Sequence, residues 1–390
     1  MRNLSKNNKI IEYLKSINLC YQTTISEKSP IILEKSFYIG IDPSGSKIHV
    51  GHLVNFLLGL ELYNLGMKII IVIGNFTGQI GDPTFKNTAR KAIDNITIKE
   101  YADNIKIVIK KILKNIQIKK YKILNNNDWL KNVKLSEYVE VLKVFNIKTL
   151  TQSQIFNKRN EDNPIYLHEM SYFTIQAYDF YYLWKKYNCE LQIGGQDQWI
   201  NMTAGITLIK TKGGNANVIT VPLITDNSDN KISKTSTNSH IYFFDLQKTY
   251  IYNYINMYKF EEKVFTYFGK IFNTNNREKI IDSIFLTVYN KKLLSTVKKI
   301  YRYKYEAINK LNQKETENID SYNEDNYTIK NIIKKFTHIE KSHHVNDVLK
   351  RGIFFNNKII NNIKDFYFYT KNDINYIQIS EYWYIYKYNF

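Results

Sequence analysis

Two hydrophobic periods alternate along the first part of the chain, and each period indicates one kind of element. Ser36–Ile41 and Ile69–Ile73 are short runs rich in apolar, β-branched residues, which predicts two buried strands. Between them, His49–Leu65 carries apolar side chains at helical spacing and stops at Gly66, a residue typical of a helix end. Strand, helix and strand in this order predict a βαβ unit, hence a parallel sheet with a right-handed crossover.

The middle of the chain continues the same alternation. Ile105–Ile116 predicts a basic amphipathic helix, Tyr172–Tyr187 another helix, and Glu190–Ile193 the next strand. From Tyr250 to about Lys314 the spacing is helical, with no helix-breaking punctuation. An α/β part therefore precedes a mainly helical one.

Two polar stretches, Thr225–Ser239 and Lys314–Tyr327, predict surface loops or linkers. Beyond about Ile339, a short helix at Val345–Lys350 is expected to precede strand-like segments rich in Ile, Tyr and Phe. The end of the chain is thus expected to form a small unit of its own.

Composition adds constraints on partners. Lysine and arginine exceed aspartate and glutamate by 55 − 36 = 19, which favours a polyanionic partner such as RNA or DNA. The chain is also rich in Asn, Ile, Lys and Tyr, which indicates an A+T-rich coding sequence that inflates this charge. Two cysteines, Cys20 and Cys189, are too few for a disulfide framework or a four-thiolate zinc site, which predicts a reducing compartment. No apolar run approaches the ~18 residues that cross a bilayer, so no membrane partner is expected.

The stretch YIGIDPSGSKIHVGHL, residues 38–53, leaves the first predicted strand and enters the predicted helix. This junction directs backbone N–H groups and a helix dipole toward any anion that binds there. His49 and His52 lie three residues apart in the first turn and project on one side, where imidazoles can donate to phosphate oxygens. Gly51 leaves room for a flat ring against the backbone. The alternative interpretation is a helix start whose two histidines are simply solvated.

A second candidate is the polar loop KISKT, residues 231–235. Lys231 and Lys234 can close over a triphosphate and neutralise charge on the leaving pyrophosphate. In a lysine-rich chain such a pair usually has no function, so the loop gains weight only together with the histidine motif.

The histidine motif and the later lysine loop together resemble the class I aminoacyl-tRNA synthetases, and within them the bacterial-type tyrosyl enzymes. Five segments carry the resemblance in order, namely YIGIDPSGSKIHVGH, GNFTGQIGDPTFKNTAR, YFTIQAYDF, LQIGGQDQW and KISKT. Val50, Ile232 and Thr235 depart from the usual family residues but keep size or hydroxyl.

The resemblance implies a reaction that joins an amino-acid carboxylate to the α-phosphate of ATP through positioning and charge stabilisation, with no enzyme nucleophile. The catalytic residues implied on the phosphates are His49, His52, Lys86, Arg90, Lys231, Lys234 and Thr235. The residues implied to bind ATP are Gly40, Ser44, Gly51, Gly195, Asp197 and Lys234. ATP is expected as a substrate accompanied by Mg²⁺, and neither a permanently bound cofactor nor a protein metal site is expected.

A pocket for L-tyrosine is implied as well. Tyr38 and Asp179 would supply a donor and an acceptor around the phenol hydroxyl, and Asp82 the counter-charge for the ammonium. The tyrosine-binding residues implied are Tyr38, Thr77, Asp82, Asn126, Tyr172, Gln176, Asp179 and Gln198. A phenylalanine would leave the hydroxyl-sensing pair unsatisfied, at a cost of about 1–3 kcal/mol per group. The alternatives are a surface carboxylate for Asp179 and helix packing for Tyr172 and Gln176. Asn55 occupies a position that touches ribose in some relatives.

The resemblance also divides the chain. It implies a doubly wound, Rossmann-like α/β catalytic domain (1–224), a linker with the KISKT loop (225–247), a helical anticodon-side domain (248–325) and a small α+β RNA-binding module (335–390). In that module, residues 345–362 resemble a helix, turn and strand, with Lys350, Arg351 and Lys358 as phosphate contacts. The alternative for this tail is a solvated basic face.

The implied product is tyrosyl-adenylate, followed by transfer of the tyrosyl group to the 3′ end of tRNA(Tyr). The implied partners are therefore tRNA(Tyr), L-tyrosine and ATP, and a second copy of the chain, with Val133–Phe145 as a candidate dimer interface. A tryptophanyl-type synthetase and a non-catalytic RNA-binding paralogue remain open. Tyr38 and Asp179 argue against the first, and the intact histidine and lysine motifs argue against the second. The expected location is a bacterial cytoplasm, with an organelle matrix as the alternative.

Overall fold

Two compact units, Met1–Lys291 and Lys292–Phe390, make up the computed structural model. It describes residues 2–45, 48–83, 93–146, 166–225, 242–243, 257, 260, 262–289, 291–295 and 297–298, together with the backbone of four strands between 353 and 387. The predicted polar loops at Thr225–Ser239 and Lys314–Tyr327 and the predicted helix at Val345–Lys350 lie outside these residues, apart from Thr225. Of the predicted linker 225–247, residues 242–243 are also described. The domain boundaries stated above stay predictions.

A six-stranded sheet organises the first unit. The described strands of this unit are, in chain order, β1 (Gln22–Thr23), β2 (Ser36–Ile41), β3 (Ile48–His49), β4 (Lys68–Ile73), β5 (Tyr121–Asn125), β6 (Cys189–Gly195), β7 (Asn217–Val221) and β8 (Tyr242–Phe243). The spatial order is β1-β7-β6-β2-β4-β5, with β3 and β8 forming a separate antiparallel pair. All neighbours in the large sheet are parallel except β1 and β7. Because β2 has β4 on one side and β6 on the other, the strand order reverses there, and the carboxyl ends of β2 and β6 border a crevice.

Helices connect these strands. They are α1 (Arg2–Ser16), α2 (Val50–Asn64), α3 (Asn75–Ile80), α4 (Asn95–Asn115), α5 (Asn127–Leu130), α6 (Leu135–Leu142), α7 (Leu167–Tyr187), α8 (Trp199–Thr211), α9 (Glu262–Phe272) and α10 (Arg277–Val288). A 3₁₀ turn at Gln196–Gln198 joins β6 to α8. None of the described helices is long and apolar enough to cross a bilayer.

Both faces of the sheet are covered. On one face, α2 packs so closely that a Cβ on Gly59 would lie 3.5 Å from the side chains of Phe37, Ile39 and Ile69. On the other face, Tyr38 and Ile70 join a buried cluster with residues of α7 and α8. Burial on both faces explains why the strands read as continuous apolar runs rather than as alternating ones. The doubly wound α/β fold predicted for this part is confirmed.

The predicted boundaries agree best with the observed ones in the elements that are buried in the core. β2 matches the prediction, and α2 ends next to Gly66, whose φ of 103° favours glycine. The predicted helix at 105–116 in fact begins ten residues earlier, since Asp94 caps the backbone N–H groups of Ile96 and Thr97. The buried residues Ile98 and Ala102 continue the helical period into these first turns, but the charged residues between them kept them out of the prediction.

The predicted helical region from Tyr250 to about Lys314 contains α9 and α10 among its described residues, and these two helices are separated by a break. Asn273 adopts a left-handed φ of 50° between α9 and α10, and the side chain of Asn276 caps the N–H of Lys279. Asparagine tolerates this backbone conformation and also caps helices, so a break occurs without glycine or proline. The helical character expected for this region is confirmed in these two helices, whereas the break between them was not predicted.

The described part of the second unit includes four strands, β9 (Ile353–Phe355), β10 (Lys358–Ile360), β11 (Ile374–Ile379) and β12 (Tyr382–Lys387). They form an antiparallel sheet in the order β10-β9-β11-β12. The strand-like character predicted for this end of the chain is confirmed.

Candidate active site

Polar side chains collect where neighbouring parallel strands end. Asp42 follows β2, Thr77 lies in α3 just after β4, and Asn126 follows β5. The carboxyl ends of parallel strands meet at one edge of a sheet, where α/β proteins form ligand sites. Helix α7 crosses the same region and contributes Tyr172 and Asp179, so separate segments of the chain converge here.

Asp42 occupies one end of this constellation. Its Oδ1 accepts from the hydroxyl of Thr77 at 2.7 Å, and its Oδ2 accepts from the hydroxyl of Tyr172 at 2.8 Å. The carboxylate lies so close to Gly74 that a Cβ there would be 1.9 Å from Oδ1. A glycine at this position is therefore required for the carboxylate to sit between its two donors.

Asp179 occupies the other end and is 5% exposed. Trp129 Nε1 donates to its Oδ1 at 2.7 Å, and Asn126 Nδ2 donates to its Oδ2 at 3.0 Å. Burial raises the pKa of this carboxyl to about 7 and the charge of Asp42 adds to the rise, while the two hydrogen bonds oppose it. Asp179 therefore changes its charge near neutral pH.

Asn126 connects the two ends. It is fully buried, and its Nδ2 also donates to Thr77 Oγ1 at 3.0 Å, while its Oδ1 accepts from the backbone N–H of Phe76 at 2.9 Å. A continuous hydrogen-bonded path thus links the carboxylates of Asp42 and Asp179.

Unsatisfied polar atoms accompany these groups. The hydroxyl of Tyr38 is buried and has no hydrogen-bond partner among the described residues, and the same holds for Oε1 of Gln176 and of Gln192. Burial, with the nearby charge of Asp179 as the second cause, raises the pKa of the Tyr38 phenol well above its usual value, so the hydroxyl stays protonated. Buried polar atoms without partners are rare and costly, which indicates that a polar ligand completes them.

The histidine motif lies at the start of α2. His49 caps this helix through Nδ1, which accepts from the N–H of Gly51 at 3.1 Å, and His52 Nδ1 accepts from the N–H of His49 at 3.3 Å. The two ring centroids are 3.9 Å apart. Because Nδ1 accepts in both rings, each neutral imidazole carries its proton on Nε2, the form that donates to an oxygen. The flat ring that lies against Gly51 is that of His49 itself, since a Cβ on this glycine would be 2.9 Å from the imidazole.

The remaining predicted residues lie around the same crevice. Gln198 Nε2 donates to Asp82 Oδ2 at 2.6 Å, which joins the end of α3 to the 3₁₀ turn after β6. Asp197 lies against Gly195, where a Cβ would be 2.5 Å from its Oδ1. Gly40 and Ser44 flank the carboxyl end of β2, and half-buried Asn55 on α2 has an Oδ1 without a partner among the described residues.

Seven predicted site residues fall outside the described side chains: Lys86, Arg90, Lys231, Lys234, Thr235, Lys350 and Arg351. For Lys358 only the backbone is described, in β10.

Three residues of this site are absent from the sequence predictions. Asp42 is visible in the sequence only as the first residue of a turn, and Trp129 gives no local signal at all. Gln192 is a buried polar residue between the apolar Leu191 and Ile193 of β6, paired in register with Tyr38, and that contrast is the signal that could have identified it.

Comparison with known proteins identifies the family to which the chain belongs. A profile of the tRNA synthetases class I (W and Y) matches residues 34–337 of the chain. The chain belongs to this family. The resemblance carried by the histidine motif and the four further segments is thereby confirmed at the level of the family.

Individual relatives are more specific. The tyrosine–tRNA ligase of Streptococcus agalactiae is 37% identical over 257 residues, which are 64% of this chain and 60% of that protein. The tyrosine–tRNA ligase of Orientia tsutsugamushi is 37% identical over 228 residues, 57% of this chain and 54% of the relative. The chain thus spans about three fifths of the length of the curated relatives it matches. A C-terminally truncated mitochondrial tyrosyl-tRNA synthetase of Aspergillus nidulans shares the fold, with a TM-score of 0.65 at 18% identity over 77% of this chain and 97% of that one.

Proposed function

We propose that the protein is a tyrosine–tRNA ligase, which activates L-tyrosine with ATP and transfers the tyrosyl group to the 3′ end of tRNA(Tyr). The observation that carries this proposal is the Tyr38 hydroxyl, buried without a partner among the described residues and close enough to Asp179 to respond to its charge. A phenol hydroxyl there can accept from Tyr38 and donate to the Asp179 carboxylate. Relatives of the same name at 37% identity support this choice.

The opposite end of the pocket fits an amino-acid ammonium. Asp42 and Asp82 both lie at the carboxyl ends of the sheet, and Asp42 is held between Thr77 and Tyr172. We assign Asp42 to the ammonium beside Asp82, with Gln176 as a further acceptor. Asn126 then serves to position Thr77 and Asp179, because it is fully buried and its amide donates to both side chains. Gln198 lies nearest to the substrate carboxylate through its bond to Asp82.

In the first step, a carboxylate oxygen of tyrosine attacks the α-phosphorus of ATP, and the bond to the bridging oxygen breaks to release pyrophosphate. His49 and His52 supply Nε2 donors at a helix N-terminus, which suits the developing phosphate charge. Lys231, Lys234 and Thr235, together with Lys86 and Arg90, would complete this charge neutralisation. Mg²⁺ enters with ATP as part of the substrate.

In the proposed complex, adenosine lies along the carboxyl ends of β2 and β6. Gly40 offers backbone without a side chain, Ser44 lies in the turn after β2, and Asp197 accepts from ribose hydroxyls. Gly51 and Gly195 contribute indirectly, because they leave room for the side chains of His49 and Asp197. In the second step, a terminal ribose hydroxyl of tRNA attacks the carbonyl carbon of the adenylate and AMP leaves.

The partners follow from the same proposal. Helix α6 exposes Leu135, Val139 and Leu142, and the start of α7 exposes Leu167, which is 81% accessible. This apolar surface supports the homodimer interface assigned to Val133–Phe145. Lys350, Arg351 and Lys358 would contact tRNA phosphates. A bacterial cytoplasm is the proposed location, and an organelle matrix is the alternative because solved mitochondrial enzymes share the fold.

The test is amino-acid-dependent ATP–pyrophosphate exchange across a panel of side chains. Exchange driven by tyrosine but not by phenylalanine or tryptophan is expected, and loss of this selectivity in Asp179→Ala at retained circular dichroism would tie it to the phenol site. Exchange driven by tryptophan would establish the tryptophanyl alternative. RNA binding without any exchange would favour the non-catalytic paralogue.

A further inference from the structure

A second concave surface lies far from the carboxyl ends of the strands. It is a groove of about 860 Å³ between the second half of α4, with its connection to β5, and the end of α10. We call it the lysine groove and define it by Lys110, Lys114, Lys119 and Lys291, with Tyr121 and Tyr289 also lining it. We infer that the lysine groove binds a phosphate-bearing RNA strand, namely a part of the tRNA remote from its acceptor end, which rests on the function proposed above.

Charge is the first argument. The four lysines are exposed, and no Asp or Glu among the described residues lines the groove. No ion pair between described residues includes any of the four. Lysine ammoniums are phosphate-binding point charges, and a concave arrangement focuses their field on a polyanion.

A neighbouring cavity shows that lysine-rich composition alone does not produce this pattern. The cavity of about 590 Å³ along the first half of the same helix is lined by Lys99 and Lys106, but also by Asp103 and Asp128. Its formal charge is 2 − 2 = 0, against 4 − 0 = +4 for the lysine groove. The positive charge is therefore local to one end of α4 rather than general along it.

The lining of the groove also fits an RNA strand better than a small anion. Ile118 and Tyr289 form a buried base, while the ring of Tyr121 is 36% exposed at the edge. An exposed aromatic ring beside several ammoniums is the combination that lets proteins stack a base while binding the adjoining phosphates. A free phosphate would engage the charges but not the ring.

The position in the fold separates this groove from the active site. Tyr121 begins β5 and pairs with Ile69 at the amino end of β4, whereas Asn126 and Thr77 follow the carboxyl ends of the same strands. Strands of five residues separate the two edges by about 16 Å at 3.3 Å per residue. Removing charge from the groove should therefore leave the chemistry of activation unchanged.

The test compares two full-length variants with the same change in charge. The first carries Lys110→Gln, Lys114→Gln, Lys119→Gln and Lys291→Gln, and the control carries Lys9→Gln, Lys28→Gln, Lys99→Gln and Lys106→Gln, all at exposed positions. Each is measured for tRNA affinity across a range of salt concentrations and for tyrosine-dependent pyrophosphate exchange.

The groove variant should bind tRNA at least about tenfold more weakly than the control, with a salt slope reduced by about 3 for four lost phosphate contacts. Its exchange rate should stay within about twofold of the unsubstituted protein, as only RNA binding is removed. Tyr121→Ala alone should weaken tRNA binding about fivefold or more, and Tyr121→Phe should not.

Equal tRNA affinity or an equal salt slope in the two variants would overturn the inference. So would a loss of affinity for inorganic phosphate or pyrophosphate with unchanged tRNA binding, since the occupant would then be a small anion. A groove variant that loses exchange together with tRNA binding would also contradict it. Absence of exchange in the unsubstituted protein would instead refute the proposed function, while the comparison of RNA affinities would still decide the groove.

Discussion

The indole N–H of Trp129 donates to Oδ1 of Asp179 at 2.7 Å, within a site where the carboxylate is almost fully buried. Trp129 is not expected to touch the proposed substrate, so its effect must pass through Asp179. The hydrogen bond stabilises the charged carboxylate against the desolvation that raises its pKa.

Trp129→Phe removes this donor and keeps an aromatic ring, although a smaller one. The carboxylate then has a buried oxygen without its partner, a loss of about 1–3 kcal/mol, and the pKa of Asp179 rises further. We expect the KM for tyrosine in pyrophosphate exchange to rise about tenfold at pH 7, and less at pH 8.5, where the group is ionised again. The KM for ATP should not change. An equal tyrosine KM at both pH values would contradict the role of this bond.

Tyr182 holds the indole of Trp129 in place by stacking against its face. Its ring stacks on the indole, with centroids 4.6 Å apart and an interplanar angle of 11°. Tyr182→Ala should raise the KM for tyrosine about threefold or more, because a stacked pair contributes about 0.5–1.5 kcal/mol, and Tyr182→Phe should restore it. Tyr181→Ala is the matched control, since Tyr181 stacks on Trp184 instead. Equal effects of the two alanine substitutions would indicate a general loss of packing.

Asp42→Asn tests the end of the pocket assigned to the ammonium. The amide keeps the size of the side chain but removes the negative charge, so tyrosine binding should weaken by about 1.5–3 kcal/mol, or about tenfold or more in KM. Thermal unfolding should be little changed. If the KM for ATP rose and that for tyrosine did not, Asp42 would belong to the nucleotide site.

Gly74→Ala tests the close approach of Asp42 to the backbone. The added Cβ would lie 1.9 Å from Asp42 Oδ1 and 2.4 Å from Thr77 Oγ1, so the carboxylate must move. We expect a loss of about 1–3 kcal/mol in the free energy of unfolding in urea, together with a higher KM for tyrosine. Gly59→Ala on α2 is the control, because its new Cβ meets ordinary contacts at 3.5 Å and alanine favours a helix by about 1 kcal/mol. Equal stability changes in the two variants would argue against the clash.

The raised pKa of Asp179 also predicts a dependence of stability on pH. The folded-state pKa of about 7 lies above the ordinary value of about 3.9, so the folded protein binds more protons between these limits. This contribution to the free energy of unfolding is complete below pH about 4 and is lost as the pH rises through about 7. Asp179→Asn cannot titrate, so its stability should fall less between these pH values. Parallel curves for the two proteins would show that the carboxyl has an ordinary pKa.

The sequence predicted those parts of the fold that are determined by hydrophobic periodicity and turn residues within a short segment. The strand at residues 36–41, the helix after His49 and the parallel pairing of β2 with β4 follow from periodicity and from Gly66. The starts of α4 and α7 were not predicted. In α4, the buried residues Ile98 and Ala102 are separated by charged residues, and α7 begins with the exposed Leu167 and the buried Glu169, which is the reverse of a hydrophobic pattern.

The residues of the candidate site also fall into two groups, those that a local motif identifies and those that depend on contacts between distant segments. The histidine motif is local, so its place at the start of a helix was predicted from the sequence, whereas the capping role of His49 was not. The contact between Asn126 and Asp179 joins residues 53 positions apart, and no period within either segment reports it. Asp42 resembles an ordinary turn residue in the sequence, because the two hydroxyls that bind it come from distant parts of the chain.

Tyr38, Gly40 and Asp42 alternate along one strand and its first following residues, so all three point to the same face of the sheet. Their Cα atoms span about 13 Å from the first to the last, at 3.3 Å per residue. One continuous piece of backbone thus carries both Tyr38, which is assigned to the phenol end of the proposed amino acid, and Asp42, which is assigned to its ammonium end. Gly40 lies midway between them. Insertion or deletion of one residue between Tyr38 and Asp42 would turn one of these two side chains to the opposite face of the sheet. The fixed separation also means that a ligand longer or shorter than tyrosine would lose its contact with one of the two.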